Sequence, residues 1–113
     1  LFIGSIWSSY GIKGRSIYGA TKSALVGFSK HLSAELSPEG CLVNVLSPGF
    51  TNTPLTQKTI NDPLILKSLE RVSGQRMLET EEIARQAIML LSPNNTCITG
   101  QEIFTDGGFS SNA

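Results

Sequence analysis

Leu1-Phe2-Ile3 opens the chain as an apolar run that ends at Gly4, and it predicts a short buried strand. Ser5 to Ser16 is rich in serine, glycine and aromatic residues and predicts a loop. From Ile17 to Leu36 the repeat changes. Ile17, Ala20, Ala24, Leu25, Phe28, Leu32 and Leu36 follow helical spacing, and Ser37-Pro38-Glu39-Gly40 stops the pattern. A helix of that length runs on the order of 30 Å, enough to cross a sheet. Leu42 to Leu46, with Val43 and Val45, predicts a second buried strand closed by Ser47-Pro48-Gly49. Phe50 to about Gly74 holds no steady period and has only weak helical character around Leu64 to Val72. A connection of this length in a small domain reads as a lid or binding loop. Thr80 is the expected N-cap of a second long helix, with Glu81 and Glu82 suited to its positive end. Ile83, Ala84, Ala87, Ile88 and Leu91 form its apolar face, and Ser92-Pro93-Asn94-Asn95 ends it. A last strand is expected over Glu102 to Thr105, ahead of Asp106-Gly107-Gly108.

Strand, helix, strand, helix, strand is the order of an α/β fold with parallel strands and right-handed crossovers. With 113 residues, 40% of them hydrophobic and 16% charged, the chain reads as one globular unit. Nine basic residues balance nine acidic ones, so neither a nucleic acid nor a charged membrane surface is an expected partner. No apolar stretch approaches the roughly 18–20 residues of a membrane span. Cys41 and Cys97 lie far apart without metal-ligand spacing and read as reduced, partly buried thiols, which fits a cytoplasmic location. The single histidine, His31, has no cluster around it, so no metal site is expected. The first residues read as a strand already under way, with no initiator methionine, and the expectation is the later part of a longer protein.

Ligands of α/β sheets bind at the carboxyl ends of the strands. Ser5 follows the first strand, Pro48-Gly49 follows the second, and Tyr18 and Lys22 lie near the start of the intervening helix. Four residues apart, Tyr18 and Lys22 share a helix face, and a cation beside a phenol favours the phenolate, as proton transfer near neutrality requires. Such a pair alone is weak evidence. Its convergence with Ser5 and Pro48-Gly49 at one sheet edge is stronger. Ser8 or Ser9 are alternative hydroxyls to Ser5. Pro48-Gly49 is either turn punctuation or a cofactor wall. Trp7 and Tyr10 either line a substrate pocket or cap the loop. Asn44 is read as satisfying backbone groups inside the fold, and Asp106-Gly107-Gly108 as structural or at a subunit contact.

Taken together these motifs resemble the C-terminal half of a short-chain dehydrogenase/reductase. The resemblance rests on Tyr18-Gly19-Ala20-Thr21-Lys22, on Ser5 thirteen residues before Tyr18, and on Asn44-Val45-Leu46-Ser47-Pro48-Gly49. It extends to Arg76-Met77, Glu81-Glu82-Ile83-Ala84, Ile98-Thr99-Gly100-Gln101 and Asp106-Gly107-Gly108. It implies the C-terminal part of a doubly wound, Rossmann-type parallel-sheet domain that handles NAD or NADP and a small alcohol or carbonyl substrate. By position, Tyr18 is the implied general acid or base. Lys22 assists it and holds the nicotinamide ribose, and Ser5 stabilises the substrate oxygen. Backbone groups from Pro48 and Gly49 to Thr51, with the Thr53 hydroxyl, are implied to hold the nicotinamide carboxamide. The family's glycine-rich nucleotide loop, its cofactor-selecting residue and its fourth catalytic residue, an asparagine, are not in these residues. Thr80 stands where a proline is common. A homo-oligomer is implied as well. The alternative is a truncated piece with only a structural or oligomerisation role.

Overall fold

The computed structural model describes residues 1–112. Three parallel strands lie side by side in chain order: β1 (Phe2–Ile3), β2 (Val45–Pro48) and β3 (Glu102–Thr105). Phe2 pairs with Val45 and Ile3 with Leu46, while Val45 to Pro48 pair with Glu102 to Thr105 in register. The helix α1 (Ser16–Leu36) crosses from β1 to β2. Two short helices, α2 (Pro54–Gln57) and α3 (Pro63–Leu69), and then α4 (Thr80–Leu91), cross from β2 to β3. This is the α/β architecture expected from the alternation of patterns. No helix among the described residues is long and apolar enough to cross a membrane.

Four local expectations are corrected. The second strand is Val45–Pro48, not Leu42 to Leu46. Val45 and Gly49 donate to the Gln101 and Thr105 carbonyls at 2.8 and 3.0 Å. Backbone donors alternate sides along a strand, so the nitrogen of Pro48 faces the side where β1 has already ended, and its missing N–H leaves no bond unmade. Upstream, the Val43 N–H bonds the Thr99 hydroxyl instead of a strand partner.

Thr80 is the first helical residue of α4 and not its cap. The Glu79 carboxylate caps the third helical position while Glu82 reaches back to the Glu79 N–H at 2.7 Å, a reciprocal capping box. The apolar stripe of α1 is not its buried face. Ser29 and Ser33 are the buried residues, whereas Ile17 is 82% exposed and Phe28 lies half-exposed, edge-on to Phe2. Small residues let the helix approach closely: a Cβ placed on Gly100 would lie 2.8 Å from the Ser33 hydroxyl. Cys41 and Cys97 are free and exposed rather than partly buried, because both fall in connections at the amino ends of the strands.

Glu82 also pairs with Arg76, with both guanidinium nitrogens 2.8 Å from its carboxylate oxygens. The Arg76 hydrogen bond, and then the Glu79 N–H, hold the Glu82 carboxyl at about 2, well below its ordinary value of 4.5. A depressed carboxyl contributes stability that is complete above its unfolded-state value and fades as the folded-state value is approached. The contribution is expected to be present above pH 4.5 and to disappear between there and pH 2. Because the pair is solvent-exposed its size is small. Thermal melts across that window should show a shallower acid loss for Glu82→Gln than for the parent protein, and parallel curves would contradict the pairing.

The core sits at the carboxyl end of the sheet. Ile6, Phe50, Ile65, Leu69, Val72, Met77 and Phe109 form one buried cluster, with Trp7, Tyr10, Ile60 and Phe104 against it. Apolar burial at this end fixes the loops that follow the strands.

Candidate active site

Ser5 follows β1 in extended backbone and is buried. Its Oγ accepts the Trp7 N–H at 3.3 Å and so caps a single 3-10 turn over Ile6–Ser8. The preceding Gly4 has no room for a side chain, since a Cβ there would lie 2.3 Å from the Ser47 Oγ and 2.7 Å from a Val45 methyl. The turn is fastened from three directions. The Glu102 carboxylate accepts Ser47 Oγ at 2.6 Å and Ser9 Oγ at 3.2 Å, and the Ser8 hydroxyl also sits against it. Ser23 of α1 donates to the Ser8 carbonyl at 2.6 Å. Ser8 and Ser9, the alternative hydroxyls, are thus engaged by Glu102, whereas the Ser5 Oγ keeps a hydrogen to donate.

Tyr18 and Lys22 lie on the first two turns of α1. The Lys22 Nζ stands 5.7 Å from the Tyr18 ring centroid and donates to the Ile3 carbonyl at 2.9 Å, which aims it at the carboxyl end of β1. The Tyr18 ring is 40% exposed and its hydroxyl has no partner among the described residues. Ser5 and Tyr18 line one cavity of about 190 Å³, and its walls include Trp7, Gly49, Phe50 and Thr51. Leu55, Thr56 and Thr59 line it from the segment that begins at α2, so part of the connection from Phe50 to Gly74 faces this cavity.

The other expected cofactor-holding residues fall into two groups. Gly49 and Thr51 line the cavity; Lys22, Pro48 and Thr53 stand outside its walls. Gly49 has a packing reason of its own, since a Cβ would lie 2.8 Å from the Asp106 Cα. Leu78 donates to the Phe50 carbonyl and accepts from the Asn52 N–H, both at 2.8 Å. This bridge uses the peptides on either side of Thr51, so the N–H and C=O of Thr51 itself stay unpaired among the described residues. The Thr53 Oγ accepts the Thr56 N–H at 3.2 Å as the N-cap of α2. The free donor and acceptor at Thr51 suit a carboxamide, and the Lys22 ammonium, held at the carboxyl end of β1, suits a ribose hydroxyl, so the residues present fit a nicotinamide nucleotide.

Asn44 is buried and bridges the strands' amino ends: its Nδ2 donates to the Ile98 carbonyl at 2.7 Å and its Oδ1 accepts the Gln101 N–H at 3.1 Å. Asp106 accepts the Gly108 and Ser110 N–H groups, each at 2.9 Å, and holds the turn after β3. Trp7 lines the cavity, while the Tyr10 hydroxyl donates to the Ser110 carbonyl at 2.9 Å. Two residues that sequence reasoning passed over stand out. Glu102 gathers hydroxyls from residues more than fifty positions away, which no local pattern signals. Arg15 is three residues before Tyr18, a spacing visible in the sequence, and its guanidinium lies 5.8 Å from that ring.

Residues 1–110 match the family model described as enoyl-(acyl carrier protein) reductase. The chain is similar to the 3-oxoacyl-[acyl-carrier-protein] reductase FabG of Buchnera aphidicola, with 42% identity over 94% of this chain and 43% of that protein. Among solved structures, the short-chain dehydrogenase/reductase from Serratia marcescens superposes with a TM-score of 0.86 at 31% identity, covering 96% of this chain and 44% of that one. A short-chain dehydrogenase from Burkholderia cenocepacia in complex with NADP gives a TM-score of 0.84 at 27% identity, covering 96% and 44%. The chain therefore spans less than half the length of the relatives it matches. The parallel sheet, the Tyr18 and Lys22 pair beside Ser5, and these likenesses place the chain in the short-chain dehydrogenase/reductase family.

Proposed function

We propose that these residues form the proton-handling part of an NAD(P)-dependent oxidoreductase domain that interconverts an alcohol and a carbonyl, the nucleotide-gripping part being contributed by preceding chain. The observation that carries this reading is the convergence of Ser5 and Tyr18 on one cavity, with Lys22 one helical turn from Tyr18. Thr51 and Lys22 would hold a nicotinamide nucleotide, which would supply or accept the hydride when bound. In carbonyl reduction the Ser5 hydroxyl donates to the substrate oxygen, where negative charge develops. The Tyr18 hydroxyl gives its proton to that same oxygen, and the Lys22 ammonium stabilises the phenolate that remains. In alcohol oxidation Tyr18 takes the proton back. The unpaired N–H and C=O of Thr51 hold the carboxamide, Pro48 and Gly49 shape its wall, and the Thr53 hydroxyl supports that edge as the cap of α2. The exposed free thiols fit a reducing cytoplasm, and a homo-oligomer is the expected assembly.

The likeness to the 3-oxoacyl-[acyl-carrier-protein] reductase FabG favours carbonyl reduction over the carbon–carbon double-bond reduction named for the family model. Full-length protein given NADPH or NADH should consume the reduced cofactor with a 3-oxoacyl thioester or a simple ketone, followed by its near-ultraviolet absorbance, and not with the enoyl thioester. Consumption with the enoyl compound alone would refute the assignment. Ser5→Ala is expected to lower kcat by roughly 10²–10³-fold with a smaller change in KM, as for loss of one donor to a developing oxyanion.

A further inference from the structure

The cavity shared by Ser5 and Tyr18 has one formally charged residue on its walls, Arg15, and no aspartate or glutamate. The backbone of Arg15 is fixed just ahead of α1: its N–H bonds the Ile12 carbonyl at 3.4 Å, and its carbonyl accepts the Gly19 N–H at 2.7 Å. No acid pairs with its guanidinium among the described residues, where the one salt bridge joins Arg76 and Glu82. The guanidinium carbon lies 5.8 Å from the Tyr18 ring centroid, so the positive charge adjoins the group that meets the substrate oxygen. Much of the remaining wall is apolar, formed by Ile6, Trp7, Phe50, Leu55 and Ile65. Arg15 is exposed at the rim of this mixed polar and apolar space, and its charge gains from an opposite charge on a ligand that displaces water from the walls as it enters.

Resting on the oxidoreductase reading above, we propose that Arg15 reads a carboxylate on the substrate, and that the preferred substrates are short oxo acids or the matching hydroxy acids, with the acid group close to the reacting carbon. A guanidinium matches a carboxylate with two parallel N–H donors, which also fixes the carbonyl relative to Tyr18.

The test compares 3-oxobutanoate with its methyl ester as substrates of the full-length protein and of Arg15→Gln and Arg15→Lys. The parent protein is expected to favour the free acid by roughly 10- to 100-fold in kcat/KM, the range of a charge-assisted hydrogen-bonded pair. Arg15→Gln should bring the ratio of acid to ester close to one, and Arg15→Lys should restore part of it. An equal loss on both substrates would make Arg15 only a packing partner of the Tyr18 ring and would overturn the inference. A parent protein that reduces the ester as well as the acid would overturn it too, with the oxidoreductase assignment intact. Failure to reduce any carbonyl compound with either cofactor would remove the oxidoreductase assignment and this inference together.

Discussion

Tyr18→Phe is expected to lower kcat/KM by roughly 10²–10⁴-fold and to leave folding almost untouched. The activity loss is what removal of a positioned general acid or base costs. The folding half of the prediction follows from the surroundings of the ring. Tyr18 is 40% exposed and its hydroxyl makes no hydrogen bond among the described residues, so deleting the oxygen strands no buried partner. The ring stays in place to receive the Lys22 and Arg15 charges across its face. Steady-state kinetics and a thermal melt on the same full-length preparation decide it. A midpoint within the range of ordinary surface substitutions, about 0.5 kcal/mol, beside a collapse in rate is the expected pattern. Near-normal turnover would take Tyr18 out of the chemistry. A large fall in the melting midpoint would make the Tyr18 hydroxyl a structural group, and the rate loss would then follow from misfolding.

The strand and helix order was legible because each long element carries its own period: α1 and α4 repeat every three to four residues, and β3 is bounded on both sides by turn chemistry. The short helix α2 escaped the periodic reading and α3 showed only as weak helical character around Leu64 to Val72, because four and seven residues hold too few apolar positions to set a firm repeat. Their start signals were in the sequence all the same. Thr53-Pro54 and Asp62-Pro63 each set a capping side chain ahead of a proline at the first helical position. The outward turn of the α1 apolar stripe was not legible. Hydrophobic spacing reports which residues avoid water, whereas the approach of α1 to Gly100 is set by small side chains at Ser29 and Ser33. At the site, the spacing from Ser5 to Tyr18 and Lys22 stood in the sequence because a strand end, one loop and one helix turn connect them. Glu102 did not, because its partners Ser8, Ser9 and Ser47 meet it only once three strands are laid side by side.

The aromatic centre beside the cavity leads to the largest expected effect on stability. Phe109 is 2% exposed and stands edge-on to Trp7, Tyr10 and Phe50, with ring centroids 5.9, 5.9 and 5.6 Å away. The Arg71 guanidinium lies 4.2 Å from the same ring. Phe109→Ala empties a site touched by four large side chains and is expected to cost about 3–5 kcal/mol, the range for a buried phenylalanine whose cavity cannot close. Denaturant unfolding of the full-length protein measures it, and Phe109→Leu, which keeps most of the volume, should recover more than half of the loss. Trp7 and Phe50 are also walls of the Ser5 and Tyr18 cavity, so the same substitution should raise KM under conditions where the protein remains folded. Phe109 lies beyond β3, Trp7 follows β1 and Phe50 follows β2; one ring therefore ties together the loops after all three strands. A loss of less than about 1 kcal/mol would show that these loops are held by the Glu102 and Asp106 hydrogen bonds instead, and KM would then be expected to stay where it was.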